Sequence, residues 1–413
     1  MKNLKLTIQL RLLLVLILAT SLSCNEKAKK ENLKSNSFYT IPFAEIVKNK
    51  REVKLSEFAT DVKFIQFENN SKALIGRVKE IQLTKDYIFV NSGKNPVIQF
   101  SRNGKYIRHI GTTGRGPGEY DICRALSIDE QNERIYIQSN ATQSMLIFNF
   151  DGKFINAIKY PAIERLYNVW SRDSLLLSFA EPMEGNEPYV FIEHNEQGDT
   201  LQTVPNHIFW NNKDKYYNII FFTGLNCFYR FENQLHMKGW YNDTVYSYDE
   251  NNKIVPKFFI DLKEHKIPDD LIYERKTIRS MPDDVCWVGV HETSNYVFIP
   301  YGYHFDMLKS SEEGKEEEGC ILYNKKTKES VAIEETKQGG FINDVSGGPD
   351  FRPIVTNDTL AIMLVSALEM KRYLDSDKFK NQEVNFPDEK EKLNQLKKTI
   401  KEDDNHFLVL VKQ

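Results

Sequence analysis

Short apolar runs recur along the chain behind polar turns. They read "TKDYIFVNS" from Thr84, "EQNERIYIQS" from Glu130, "SRDSLLLSF" from Ser171, "FENQLHMKGW" from Phe231, "ETSNYVFIPY" from Glu292 and "TNDTLAIMLV" from Thr356. Each places turn-forming residues ahead of β-branched, aromatic or aliphatic side chains, so the pattern predicts six hairpins. A second unit follows most of them. "VIQFSRNGKYIRHI" (Val97–Ile110) and "MLIFNFDGKFINAI" (Met145–Ile158) align residue for residue, with Gly104 and Gly152 48 positions apart. Looser copies begin at Tyr189, Val245 and Cys320, each a strand, an Asn/Asp/Gly-type turn and a strand.

Two successive hairpins make a four-stranded antiparallel meander. Such a unit cannot bury both faces alone, so copies must stack, and radial stacking gives a β-propeller. The predicted fold is all-β: a six-bladed β-propeller of four-stranded antiparallel blades with one or two short helical insertions. The sixth copy lacks its second hairpin and ends in a lone strand, "HFLVLVKQ", while "VKFIQFE" (Val62–Glu68) is a spare strand before the first repeat. Pairing these two closes the ring through the N- and C-terminal strands and removes exposed sheet edges.

Two segments read as helical insertions. In "FPDEKEKLNQLKKTIKEDD", Asp388 is expected as N-cap with Glu391 at N3, and Leu393, Leu396 and Ile400 form one apolar stripe for the propeller edge. "IPDDLIYERKTIRSMPDD" (Ile267–Asp284) is the second, and "SSEEGKEEEG" (Ser310–Gly319) reads as a solvated loop.

Composition refines this reading. The 413 residues are 12% aromatic, with 20 Tyr and 26 Phe, which suits strands. A formal charge of −3 without a Lys/Arg stripe argues against a nucleic-acid partner. The first 23 residues hold Lys2, Lys5 and Arg11, an apolar run from Leu12 to Ala19 and a small-residue exit, the pattern of an export signal. The run is too short to span a bilayer comfortably. Three segments follow: a signal peptide at 1–23, a Lys/Asn/Ser-rich flexible tether at 24–38 and the propeller at 39–413. Beyond Cys24, the cysteines are Cys123, Cys227, Cys286 and Cys320, with no C-x-x-C pair, so buried free thiols are expected.

"IGTTGRGPGEY" (Ile110–Tyr120) holds four glycines. A dinucleotide fingerprint needs a following helix, and a Walker loop needs Gly-Lys-Ser/Thr; neither follows. The run is expected to carry the chain from one blade to the next, so no cofactor is assigned.

That loop, with "ICRALSIDEQNERIYIQSNATQSMLIFNFDGKFINAI" after it, resembles the NHL-type repeat. "SLSC" resembles a lipobox with Cys24 as the acylated residue; the alternative is an ordinary signal peptide followed by an incidental cysteine. Together these features resemble the six-bladed NHL/TolB-like β-propeller lipoproteins of Bacteroidetes. The resemblance implies a lipid-anchored propeller at the periplasmic face or outer membrane, and no settled activity. Exported proteins of that group carry O-glycans on a motif similar to "DSL" at Asp173, "DTL" at Asp199, "DTV" at Asp243 and "DTL" at Asp358. Ser174, Thr200, Thr244 and Thr359 are therefore candidate acceptors, although Asp-Thr pairs also start strands after turns.

Catalytic signatures are absent from the sequence. There is no H-E-x-x-H and no G-x-S-x-G. His291, Glu292, His304 and Asp306 are near enough in sequence to suggest a metal site, but hairpin neighbours also meet without metal, and none is assigned. Propellers bind ligands at the mouth of the central channel. Repeat position nominates Lys79, Arg124, Asn168, Asn226, His291 and Asp344 there, with Arg115 and Glu119 of the glycine loop near the rim. The expected function is a binding or scaffold module for an unidentified protein or glycan. The alternative is a propeller enzyme of lyase or esterase type, with or without a metal ion, at the same mouth.

Overall fold

The computed structural model describes residues 38–93, 96–139, 144–159, 166–180, 186–209, 228–268, 282–303, 318–333 and 340–413. The chain divides into Met1–Tyr39 and Thr40–Gln413, and the propeller occupies the second unit. The signal peptide, nearly all of the tether, Cys24, Cys227, Asn226, His304, Asp306 and most of the helix expected at 267–284 lie outside the described residues.

Six antiparallel sheets form the blades of a propeller. Blade one is Glu80–Leu83, Tyr87–Asn91, Val97–Ser101 and Tyr106–Ile110, from the inside outward. Blade two is Cys123–Asp129, Arg134–Ser139, Ser144–Asn149 and Phe154–Lys159. Blade three is Leu166–Arg172, Leu175–Ala180, Tyr189–His194 and Thr200–Pro205. Blade four runs Phe228–Phe231, Gln234–Met237, Thr244–Tyr248 and Ile254–Ile260. Blade five has a broken inner strand, Cys286–Val288 and His291–Glu292, then Tyr296–Tyr303, Glu318–Asn324 and Ser330–Ile333. The solvated loop expected at 310–319 therefore ends earlier, because Glu318 and Gly319 are already strand. Gly319 is required there, since a Cβ would lie 2.4 Å from the ring of its cross-strand partner Tyr301.

Blade six closes the ring as the spare strand implied. Val355–Thr356 and Leu360–Val365 come from its own repeat, Phe407–Lys412 is third, and Asp61–Gln66 from the start of the propeller is outermost. Phe407 pairs with Gln66 and the register runs unbroken to Lys412 opposite Asp61. Asn405 fastens the junction: its amide donates to the carbonyls of Glu68 and Ala73, each at 2.7 Å, and accepts from the Ile75 N–H at 2.9 Å.

Sheet faces pack blade against blade. Phe89 of blade one shares a core cluster with Leu126, Ile137 and Phe148 of blade two, while Phe100 shares another with Leu408 and Ile362 of blade six. Two segments absent from the sequence reading protect outer edges. Tyr39–Ile41 adds to the outer strand of blade four, and Lys50–Arg51 pairs in parallel with Ser330–Ile333 of blade five. Paired edges cannot template association with another chain.

The helical insertion is larger than expected. Helices α1 (Ala367–Asp375), α2 (Asp377–Asn381) and α3 (Pro387–Thr399) lie between the second and third strands of blade six. Ser366 and Glu369 form a capping box on α1. On α3 the expected cap is corrected: Phe386 is the N-cap, Pro387 sits in the first turn, and Asp388 is already helical. Proline suits that first turn because its missing N–H would have no helical partner. Leu393 and Ile400 are buried and Leu396 packs beside them, so the apolar stripe faces the propeller.

Hydrogen bonding shows why the glycine run needs its residues. Thr112–Thr113 and Glu119–Tyr120 pair in parallel, and no helix follows. The Glu119 carboxylate accepts from the N–H groups of Arg115 at 3.0 Å and Gly116 at 2.9 Å. The Tyr120 hydroxyl donates to the Ile110 carbonyl and accepts from the Val97 N–H, both at 2.7 Å. Gly111 has φ +69°, and a Cβ would lie 2.8 Å from the Gly118 carbonyl oxygen.

Candidate functional site

Blade topology gives the propeller two unlike faces. Tight hairpin turns occupy one; the other carries the blade-to-blade crossovers and the connections between second and third strands. The turn face is laced together. Asp358 of blade six accepts from the Glu232 N–H of blade four at 2.7 Å, and its carbonyl accepts from Ser294 of blade five at 2.8 Å.

At the channel, the structure brings Lys79 and Arg124 together: Lys79 Nζ donates to the Arg124 carbonyl at 2.8 Å. Beside them is Glu80, which sequence reasoning missed although it directly follows Lys79. Glu80 accepts from the Leu126 N–H at 2.9 Å, and burial pushes its carboxyl up to about 7. Deeper in, Arg230 of blade four donates to the Ser171 carbonyl of blade three at 2.6 Å.

The remaining candidates are dispersed. Arg115 is exposed, while Glu119 is occupied by its own loop. Asn168 lies on the inner strand of blade three. His291 falls near the turn-face end of its strand, opposite Phe298, where burial lowers its pKa to about 4. Asp344, on the connection from blade five to blade six, accepts from the Ser56 N–H and hydroxyl at 3.0 and 2.5 Å. Among the candidate glycan acceptors, Ser174, Thr200 and Thr359 are exposed and Thr244 is half-buried.

Groups that look catalytic are held by their neighbours. Glu292 receives Lys257 at 3.0 Å, Lys325 at 2.9 Å and the Tyr229 hydroxyl at 2.8 Å. Burial works to raise its pKa, but the two lysines bring it below the usual carboxylate range. Ser178 and His194 hydrogen-bond at 3.0 Å, yet both are fully buried between strands of blade three, out of reach of a substrate. Glu193 is enclosed by Arg172 at 3.1 Å, Gln202 at 2.8 Å and Tyr248 at 2.7 Å.

The crossover face carries a cleft between blades three and four that the sequence did not reveal. Its volume is about 230 Å³. Tyr189, Trp240, Tyr241 and Tyr246 give it aromatic walls, and Asn206, His207, Asn242, Asp243 and Lys266 add polar groups. Gly239 lets the blade-four loop approach blade three, since a Cβ would stand 2.9 Å from Val190. Trp240 then packs on Phe179, with ring centroids 5.2 Å apart. Asp243 is only 7% exposed, and its partner Lys266 stands at a long 3.7 Å. Burial raises the pKa of Asp243, with Lys238 and Lys266 opposing the shift. The cleft thus joins flat apolar faces to a buried carboxylate set beside Lys238 and Lys266.

Among the described residues, no helix is long and apolar enough to cross a membrane. The profile of a family described as a domain of unknown function, DUF4934, matches residues 38–412. The fold is similar to the crystal structure of a candidate exported protein from Bacteroides fragilis, with TM-score 0.68 at 17% identity over 91% of this chain and 99% of that one. A member of the DUF4221 family from Bacteroides vulgatus aligns at TM-score 0.44 and 11% identity, over 70% of this chain and 88% of that one. No curated protein matches the chain.

Proposed function

The chain belongs to the DUF4934 family, and from that premise we propose that it is an exported, lipid-anchored propeller that acts by binding a ligand. Export is supported by the basic-apolar-small order of residues 1–23 and by the similar Bacteroides fragilis protein, itself described as a candidate exported protein. Cys24 is the residue that acylation would anchor, with the Lys/Asn/Ser-rich tether spacing the blades from the membrane. The resemblance to NHL/TolB-like lipoproteins fits the same placement.

The observation that carries the binding reading is the cleft between blades three and four: aromatic walls around a buried carboxylate flanked by lysines. Concave, mostly apolar sites with few convergent polar groups are the usual form of ligand pockets. The occupied state of Glu292 and Glu193, and the burial of Ser178 and His194, favour binding over catalysis.

A thermal-shift screen of a chemically diverse ligand library tests this reading. Stabilisation that disappears in Tyr241→Ala is the expected result. Turnover of a substrate by the purified protein, abolished by His291→Ala, would replace it with the enzyme reading.

A further inference from the structure

We propose that the boundary between blades one and two holds a bound water molecule, seated between the Gln99 amide and the Nε–H of Arg108. The site belongs to the third and fourth strands of blade one and is separate from the cleft between blades three and four.

Strand alternation carries a polar amide into this boundary. In Val97–Ser101, Ile98 and Phe100 belong to the core shared with blade six, whereas Val97 belongs to the core shared with blade two. Gln99 takes the side of Val97 and is 0% exposed. Phe89 stands opposite it on the second strand and Arg108 opposite it on the fourth. Phe89 packs in turn on Phe150 of blade two, with ring centroids 5.4 Å apart, so an aromatic wall adjoins the amide.

Neither the oxygen nor the nitrogen of the Gln99 amide has a hydrogen-bond partner, although both atoms are buried. Arg108 Nε, on the residue directly across the ladder, is buried and unpaired in the same way. The far end of Arg108 is fixed, because Nη1 donates to the Asp151 carbonyl of blade two. Directly opposite side chains on one sheet face stand about 4.5–5.5 Å apart at Cβ, so the three unpaired atoms share one neighbourhood. Exchanging the oxygen and nitrogen of the amide changes nothing, since both lack a partner. Leaving such groups unpaired is costly, and native interiors seldom do so. Two donors, Gln99 Nε2 and Arg108 Nε, and one acceptor, Gln99 Oε1, call for a ligand that both accepts and donates. Water does both, and buried waters typically satisfy groups of this kind. An inorganic anion would accept from the two donors but set negative charge against Oε1. The guanidinium also has an acid nearby already, with the Asp151 carboxylate 3.8 Å from Nη1. A cation would meet the positive charge of Arg108.

High-resolution crystallography of the detergent-solubilised full chain, with a second crystal soaked in sodium bromide, tests the inference. The expected result is a density peak within hydrogen-bond reach of the Gln99 amide and Arg108 Nε, without anomalous signal from bromide. Anomalous signal at that position makes it an anion site and overturns the proposal. So does a Gln99 amide bonded directly to Arg108 or another protein group, with no peak between them. Urea unfolding of Gln99→Met, Arg108→Met and the double variant gives a second readout. A water-bridged pair is expected to couple, with the unfolding constant of the double variant changed at least about threefold less than the product of the single effects. Strictly multiplicative effects in folded variants would contradict the bridge.

Discussion

Val409 of the last strand stands opposite Phe64 of the strand that opens the propeller. The same strand is paired on its other side with Leu360–Val365, so it has a neighbour on both sides within the closing blade. Deleting Phe407–Gln413 removes buried Phe407, Leu408 and Leu410 and strips both neighbours of their ladder. At about 1.5–3 kcal/mol per large apolar side chain, the loss rivals the stability of an ordinary domain. The truncated chain is expected to aggregate, whereas deleting residues 25–37 should leave the melting temperature unchanged in differential scanning calorimetry.

Asn405 offers a finer test of closure. Asn405→Leu has similar bulk but leaves the Glu68 and Ala73 carbonyls and the Ile75 N–H without their partner. Each buried unsatisfied group costs about 1–3 kcal/mol, so urea unfolding should show a loss of at least about 3 kcal/mol.

Closure and blade order were legible because their signals are local. Polar turns fix the hairpins, and the missing sixth hairpin matched the spare strand at Val62. Edge strands Tyr39–Ile41 and Lys50–Arg51 are too short to show a period, so neither was visible. Helix α1 did carry a signal, the Ser366–Glu369 capping box, in a stretch to which no element was assigned. Channel candidates fared unevenly for a geometric reason. Repeat position brought Lys79 to Arg124, but the inner strand of blade five is interrupted at Gly289 and Val290, and His291 lies past that break near the turn face. Nothing local joins Tyr189 to Asp243; only the stacking of two blades does.

Glu292 controls acid stability at the boundary of blades four and five. Its folded pKa lies below the ordinary value of 4.5, so the unfolded chain takes up a proton first as pH falls. Its stabilisation is complete above 4.5 and is lost as pH drops through the folded value. Glu292→Gln leaves Lys257 and Lys325 facing a neutral amide, and should cost about 3–5 kcal/mol at pH 7. The gap between variant and parent in chemical denaturation should narrow below pH 4.

Glu80 has the opposite sign. Burial lifts its carboxyl from 4.5 to about 7, so the folded chain holds a proton that the unfolded chain has released. Its contribution therefore falls as pH rises from about 4.5 to 7. Glu80→Gln keeps an acceptor for the Leu126 N–H and should flatten that decline, read as melting temperature at pH 5 against pH 7.5.

Cys24→Ala should move the protein from the membrane fraction to the soluble periplasm. Unchanged membrane retention would contradict anchoring by acylation.

Hydrogen–deuterium exchange of the full chain, with and without the best-stabilising compound of the thermal-shift screen, addresses the ligand site most directly. The expected result is slowed exchange confined to the cleft, at residues 204–208 and 239–246, with the peptides holding Lys79 and Arg124 unchanged. Protection at those channel residues, with the cleft exchanging as before, would contradict a binding site between blades three and four.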